Sequence, residues 1–118
     1  MSKKHILIVG TGSAGLRHGR NLTSLGASVL GMDPSGERRA TFIDEFHTSV
    51  YETLDDALAG GGLDGVAVCS PTRFHVEQCV PALEAGLPVL LEKPVSKTLT
   101  EAEYLAGAMI RTGTPLLL

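Results

Sequence analysis

The chain has 118 residues, with 10 Lys+Arg against 13 Asp+Glu and a formal net charge of −3, a balance that argues against a polyanionic partner, so no nucleic acid is expected. Hydrophobic residues make up 43% and charged residues 19%, with only two Tyr, three Phe and no Trp, which excludes intrinsic disorder and fits one domain built from small aliphatic side chains. The longest apolar runs, Ile6 to Val9 and Leu116 to Leu118 among them, fall far short of the roughly 20 residues that span a bilayer.

The apolar run before Gly10 is also too short for a signal peptide, so a cytoplasmic protein with no membrane partner is expected. Cys69 and Cys79 lie in no CxxC pair and near no His at ligand spacing. They are expected to be free thiols in a reducing compartment, and no metal site is expected.

In chain order, short continuous apolar runs predict strands at His5 to Val9, Ala27 to Met32, Gly65 to Cys69, Pro88 to Leu91 and Thr114 to Leu118. A further short strand is expected at Thr48 to Tyr51. Between them, helical spacing predicts helices over Ser13 to Leu25, Glu37 to Phe46, Leu54 to Ala59, Thr72 to Ala85 and Thr100 to Arg111. Gly26, Gly86 and Gly113 close the first, fourth and last helices, and Thr53 and Thr100 occupy N-cap positions. Pro81 falls inside the fourth helix and predicts a bend there.

Strands that are apolar on both faces need cover on both faces, so the repeated βα alternation predicts an α/β fold, a three-layer doubly wound parallel sheet in the order 3-2-1-4-5-6. Ending on the apolar stretch Thr114 to Leu118, the chain is expected to be a truncated piece of a longer protein.

The first strand runs directly into Gly10-Thr11-Gly12-Ser13-Ala14-Gly15, which fits GxGxxG and opens the first helix. In that setting Gly10 permits the tight turn, Gly12 lets the backbone approach a pyrophosphate, and Gly15 lets the helix pack on the strand. The phosphates are expected on the N–H groups of Gly12, Ser13 and Ala14 at the positive end of the helix. Asp33 follows Gly15 by eighteen positions, close to the spacing of about 20 for an acid that binds the adenosine ribose hydroxyls. A carboxylate there favours NAD. Arg38 and Arg39, at the start of the next helix, keep NADP open. Residues 1 to 118 thus read as a Rossmann dinucleotide-binding domain.

Three stretches carry a resemblance. Ile8 through His18 contains the glycine loop, Ser70-Pro71-Thr72-Arg73-Phe74-His75 follows the Gly65 to Cys69 strand, and Glu92-Lys93-Pro94 follows the Pro88 to Leu91 strand. Over essentially its whole length the chain resembles the N-terminal domain of the glucose-fructose oxidoreductase, inositol dehydrogenase and MocA proteins (Gfo/Idh/MocA). The resemblance implies an NAD(P)-dependent oxidoreductase acting on a sugar, cyclitol or related polyol. It also implies a second, α+β domain for substrate binding and homo-oligomerisation.

The resemblance makes Lys93 the catalytic residue, a hydrogen-bond donor to the substrate hydroxyl, with Pro94 shaping its loop. It puts Ser70, Pro71, Thr72, His75 and Glu92 on the cofactor side of the cleft. Thr72 stands where the family often has Asn, so the contact made by that amide is left to a hydroxyl. The family's proton-transfer residues lie in the second domain and match nothing here, so this chain alone is expected to be inactive.

Several residues have a plainer reading alongside the functional one. His75 either faces the cofactor cleft or packs locally. Lys93 is either an ordinary surface lysine or a cation in the crevice at the carboxyl ends of the strands. Glu92 pairs either with Lys93 or with Arg17, and Arg17 and His18 either reach the cleft or lie on a solvated helix face. The alternative to an enzyme is a non-catalytic NAD(P)-binding sensor or regulatory module. A methyltransferase also has a glycine turn and an acid after the second strand, but Glu92-Lys93-Pro94 counts against it.

Overall fold

The computed structural model describes residues 3–118. Six strands and five helices alternate, with one 3₁₀ turn: β1 (His5–Val9), α1 (Ser13–Ser24), β2 (Ser28–Met32), α2 (Gly36–Phe46), β3 (Val50–Tyr51), α3 (Leu54–Ala59), β4 (Gly65–Val68), a 3₁₀ turn (Thr72–Phe74), α4 (His75–Glu84), β5 (Val89–Leu91), α5 (Leu99–Thr112) and β6 (Leu116–Leu117). All strands are parallel in the order β3-β2-β1-β4-β5-β6, the order that right-handed crossovers from a central β1 produce.

Strict alternation of side chains assigns each helix a face. Leu7 and Val9 of β1, Val66 and Val68 of β4, and Val89 and Leu91 of β5 point into one core with α3, α4 and α5, where Cys79, Leu83, Leu105 and Ala108 meet them. Ile8, Val29 and Ala67 point the other way, onto Leu16 and Leu22 of α1 and Phe42 and Phe46 of α2. Gly31 sits opposite this second core because a Cβ there would come within 2.9 Å of the Phe42 ring. Leu90 of β5 packs at the margin of this second core, and Leu117 of β6 stays 68% exposed.

Helix ends follow capping chemistry, with one correction. Ser35, Thr53 and Thr98 each accept an N–H three residues on with a side-chain oxygen, and Gly113 takes a left-handed conformation after α5. Thr98, not Thr100, is therefore the N-cap of α5. From an extended backbone its Oγ1 accepts the Glu101 N–H and donates to Glu101 Oε1, whereas Thr100 lies inside the first turn. The segment expected as one helix over Thr72 to Ala85 begins as the 3₁₀ turn and becomes α-helical at His75, then runs through Pro81 to Glu84.

Candidate functional site

The carboxyl ends of β1 and β4 are adjacent, while the chain leaves them in opposite directions, to α1 and to α4. A crevice forms at such a reversal point. Gly10 crosses it at φ +89, and a Cβ on Gly10 would sit 2.7 Å from the Ser70 backbone; one on Gly15 would sit 2.0 Å from the Gly10 carbonyl oxygen. Both positions therefore require glycine for close packing. A Cβ on Gly12 would meet nothing nearer than the Arg38 guanidinium, at 3.8 Å, so the backbone there is open to a ligand.

The end of α1 is also chemically prepared. It has no side-chain cap and no acidic residue in its first turn, whereas α2, α3 and α5 have both. Its first N–H groups and the helix dipole are left for an external anion.

Asp33, at the end of β2, is 3% exposed. Its Oδ2 accepts the Thr11 N–H at 2.9 Å and the Thr11 hydroxyl at 3.3 Å, and its Oδ1 accepts the Ser35 N–H at 2.9 Å. A carboxylate has about four acceptor sites, so one remains, on Oδ1, for a ribose hydroxyl. Thr11 is not marked out by the sequence. It occupies a variable position of the glycine motif, and only its burial reveals its role.

Arg39 is committed elsewhere: its Nη1 donates to the Asp33 and Pro34 carbonyls, both at 2.9 Å, and its Nη2 lies 3.5 Å from Glu52. Of the two arginines that keep NADP open in the sequence, only Arg38 is free to move. It is exposed, 4.0 Å from Asp33 Oδ2.

A cleft of about 420 Å³ runs from Gly10 and Asp33 between Ser35, Arg38, Pro71 and Phe74. A shallower hollow adjoins it over Thr53, Asp55 and Pro81. Ser70 lines the cleft and donates its hydroxyl to Gln78. Phe74 and Gln78 are likewise site residues that sequence reasoning missed. Their i, i+4 spacing puts them on one side of the helix that leaves β4, which is the available sequence signal.

Thr72 opens the 3₁₀ turn behind Pro71, and its carbonyl accepts the His75 N–H. The His75 ring is 1% exposed, with Nδ1 2.8 Å from the Pro94 carbonyl oxygen and Nε2 2.8 Å from that of Ser70. Its ring therefore bridges the Ser70 loop and the Lys93-Pro94 turn, with each nitrogen against a carbonyl oxygen.

Lys93 lies on that turn, exposed, in a cis peptide bond with Pro94, and makes no ion pair among the described residues. Glu92 faces the other way. One of its oxygens, Oε1, accepts from Arg17 Nη2 at 2.8 Å and lies 2.5 Å from His18 Nε2. That hydrogen bond with His18, together with the His18 and Arg17 charges and the Lys93 N–H, holds the Glu92 carboxyl below its ordinary range. At the end of β4, burial and then the Glu92 charge push the Cys69 thiol up to about 12, so it is not a nucleophile. The structure thus selects Arg17, with His18 added, over Lys93 as partner of Glu92.

A parallel doubly wound sheet, a glycine turn on an uncapped helix and an acid at the end of β2 define a Rossmann dinucleotide-binding domain. The match to the family model described as "Oxidoreductase family, NAD-binding Rossmann fold" runs over residues 4–117, and the chain belongs to this Gfo/Idh/MocA family. An inositol 2-dehydrogenase of Leifsonia xyli subsp. xyli is 38% identical over 96 residues, 79% of this chain and 28% of that protein. The rhizopine catabolism protein MocA of Rhizobium meliloti is 32% identical over 113 residues, 94% of this chain and 35% of that protein.

Among solved structures, the apo scyllo-inositol dehydrogenase of Lactobacillus casei superposes with a TM-score of 0.86 at 26% identity, over 98% of this chain and 37% of that one. The WlbA dehydrogenase of Bordetella pertussis, solved with NADH and UDP-GlcNAcA, superposes at 0.92 and 23% identity over 98% of this chain and 36% of that one. The chain spans about a third of the length of these relatives, and it is their NAD-binding domain that it matches.

Proposed function

We propose that this chain is the cofactor-binding part of an oxidoreductase that moves hydride between a nicotinamide ring and a hydroxyl-bearing carbon of a sugar, cyclitol or related polyol. The observation that carries the reading is the placement of Lys93 at the carboxyl end of β5, on a turn anchored by His75 to the loop after β4, the strand next to β1 and its glycine turn. In this reading the N–H groups of Gly12, Ser13 and Ala14 hold the pyrophosphate and Asp33 takes one ribose hydroxyl. Gly10 and Gly15 let loop and helix close, while Ser70 and Pro71 wall the cleft and Thr72 opens the turn behind them. NAD, when bound, supplies the hydride acceptor.

The Lys93 ammonium donates a hydrogen bond to the substrate oxygen and stabilises the negative charge that grows there as the proton leaves. The substrate class is supported by relatives named inositol 2-dehydrogenase and a scyllo-inositol dehydrogenase. The full-length protein is expected to act in the cytoplasm as a homo-oligomer, joined through the second domain that the family resemblance implies.

The test is steady-state kinetics on the protein with the reading frame that follows residue 118. Lys93→Ala is expected to lower kcat for polyol oxidation by at least about 100-fold and to leave NAD affinity within twofold. Unchanged turnover would remove Lys93 from the mechanism.

A further inference from the structure

Glu92 and Lys93 are neighbours in sequence with opposite charges, on the turn that follows β5, and they do not pair. The alternation that puts Leu90 of β5 on the α1 side of the sheet carries Glu92 to that side as well. There its carboxylate meets Arg17 and His18, from the second turn of the helix that opens at the glycine loop. Side-chain exposure is 27% for Glu92 and 23% for His18, so the contact is partly screened from water. Cys69, just past β4, packs on that same side. On the other side of the turn, the His75 ring lies against the Pro94 carbonyl.

We propose that Arg17 and His18 are positioning residues for Lys93. By holding the Glu92 carboxylate on α1, they keep it from pairing with the adjacent ammonium and leave Lys93 without a carboxylate partner. This rests on the reading of Lys93 as the substrate-facing cation. Without Arg17 and His18, the carboxylate would be left beside the adjacent lysine, and an ion pair there would compete with any substrate hydroxyl.

The mechanism predicts a rescue that a merely structural role would not produce. In the 118-residue chain, the rate at which an amine-reactive acetylating reagent modifies Lys93 is followed by peptide mass spectrometry at fixed pH, with exposed Lys97 as internal standard. Arg17→Ala with His18→Ala is expected to slow Lys93 modification about threefold relative to Lys97, the scale of a surface ion pair. Adding Glu92→Gln, which removes the competing carboxylate, is expected to restore the original rate. Arg17 is 61% exposed. Should the double variant fold poorly, His18→Gln alone gives a milder form of the same comparison.

An unchanged rate in the double variant would overturn the proposal, and so would a slowed rate that Glu92→Gln fails to restore. Failure of the underlying reading looks different. Lys93→Ala would then leave polyol turnover intact in the longer protein, while the labelling pattern stood.

Discussion

Asp33 commits most of its carboxylate to its own loop. Three of its acceptor positions hold Thr11 and Ser35 in place, and Asp33 also lines the cleft. Asp33→Ala is therefore expected to do two things at once. Calorimetry should show NAD affinity falling at least about tenfold with NADP spared or improved, and urea unfolding should show a loss of about 2 kcal/mol from the anchoring bonds. A variant that lost stability and kept NAD affinity would assign Asp33 to the loop alone. Gly15→Ala is expected to cost more than about 3 kcal/mol, because the new Cβ would meet a main-chain oxygen that cannot turn aside.

The Glu92 carboxyl has a folded-state pKa below its unfolded one. Its contribution is thus complete above the ordinary carboxylate range, near pH 4.3, and is lost as pH falls through and below it. Stability curves of the native chain and Glu92→Gln should differ at neutral pH and converge in acid. Curves that stayed parallel would sever the link to ionisation.

Among the elements, α5 gives the clearest test of the capping argument. Thr98→Ala should cost about 1 kcal/mol in urea unfolding, since it removes an acceptor for the Glu101 N–H, while Thr100→Ala should change stability by less than about 0.5 kcal/mol. Equal losses would return the cap to Thr100. Every helix and strand could be read from periodicity because the sheet is apolar on both faces, and the glycine punctuation is unambiguous. Less visible was the 3₁₀ start after Pro71 and the choice between two threonines two residues apart, which depend on backbone angles that a pattern of residue types does not encode.

The site divides along the same line. Gly10, Gly12, Gly15 and Asp33 were legible because they act through local backbone geometry at a fixed spacing. Thr11, Gln78 and the Glu92–His18 contact were not, since each depends on which chain-distant residue the sheet order places opposite. The partner of Glu92 was a choice between Lys93 and Arg17 in the sequence. Pairing of β1 with β4 and of β4 with β5 brings α1 across to the end of β5 and decides it.

For the molecule as a whole, this chain is expected to bind NAD and to release no NADH with any sugar or cyclitol. A hydroxyl proton must pass to an acceptor within about 3 Å as hydride departs. Next to Lys93 in the chain, Glu92 is engaged by Arg17 and His18, and both nitrogens of His75, which holds the Pro94 carbonyl, face carbonyl oxygens. Asp33 stands at the end of β2, beside the proposed ribose site.

Lys93 and Pro94 are themselves exposed, so water reaches the place where the hydroxyl would have to be held, and both positioning and solvent exclusion are weak there. Calorimetry with NAD should therefore register binding in the same preparation whose mixture with inositol shows no rise in NADH absorbance. A rise that depended on Lys93 would mean that this domain contains its own proton acceptor.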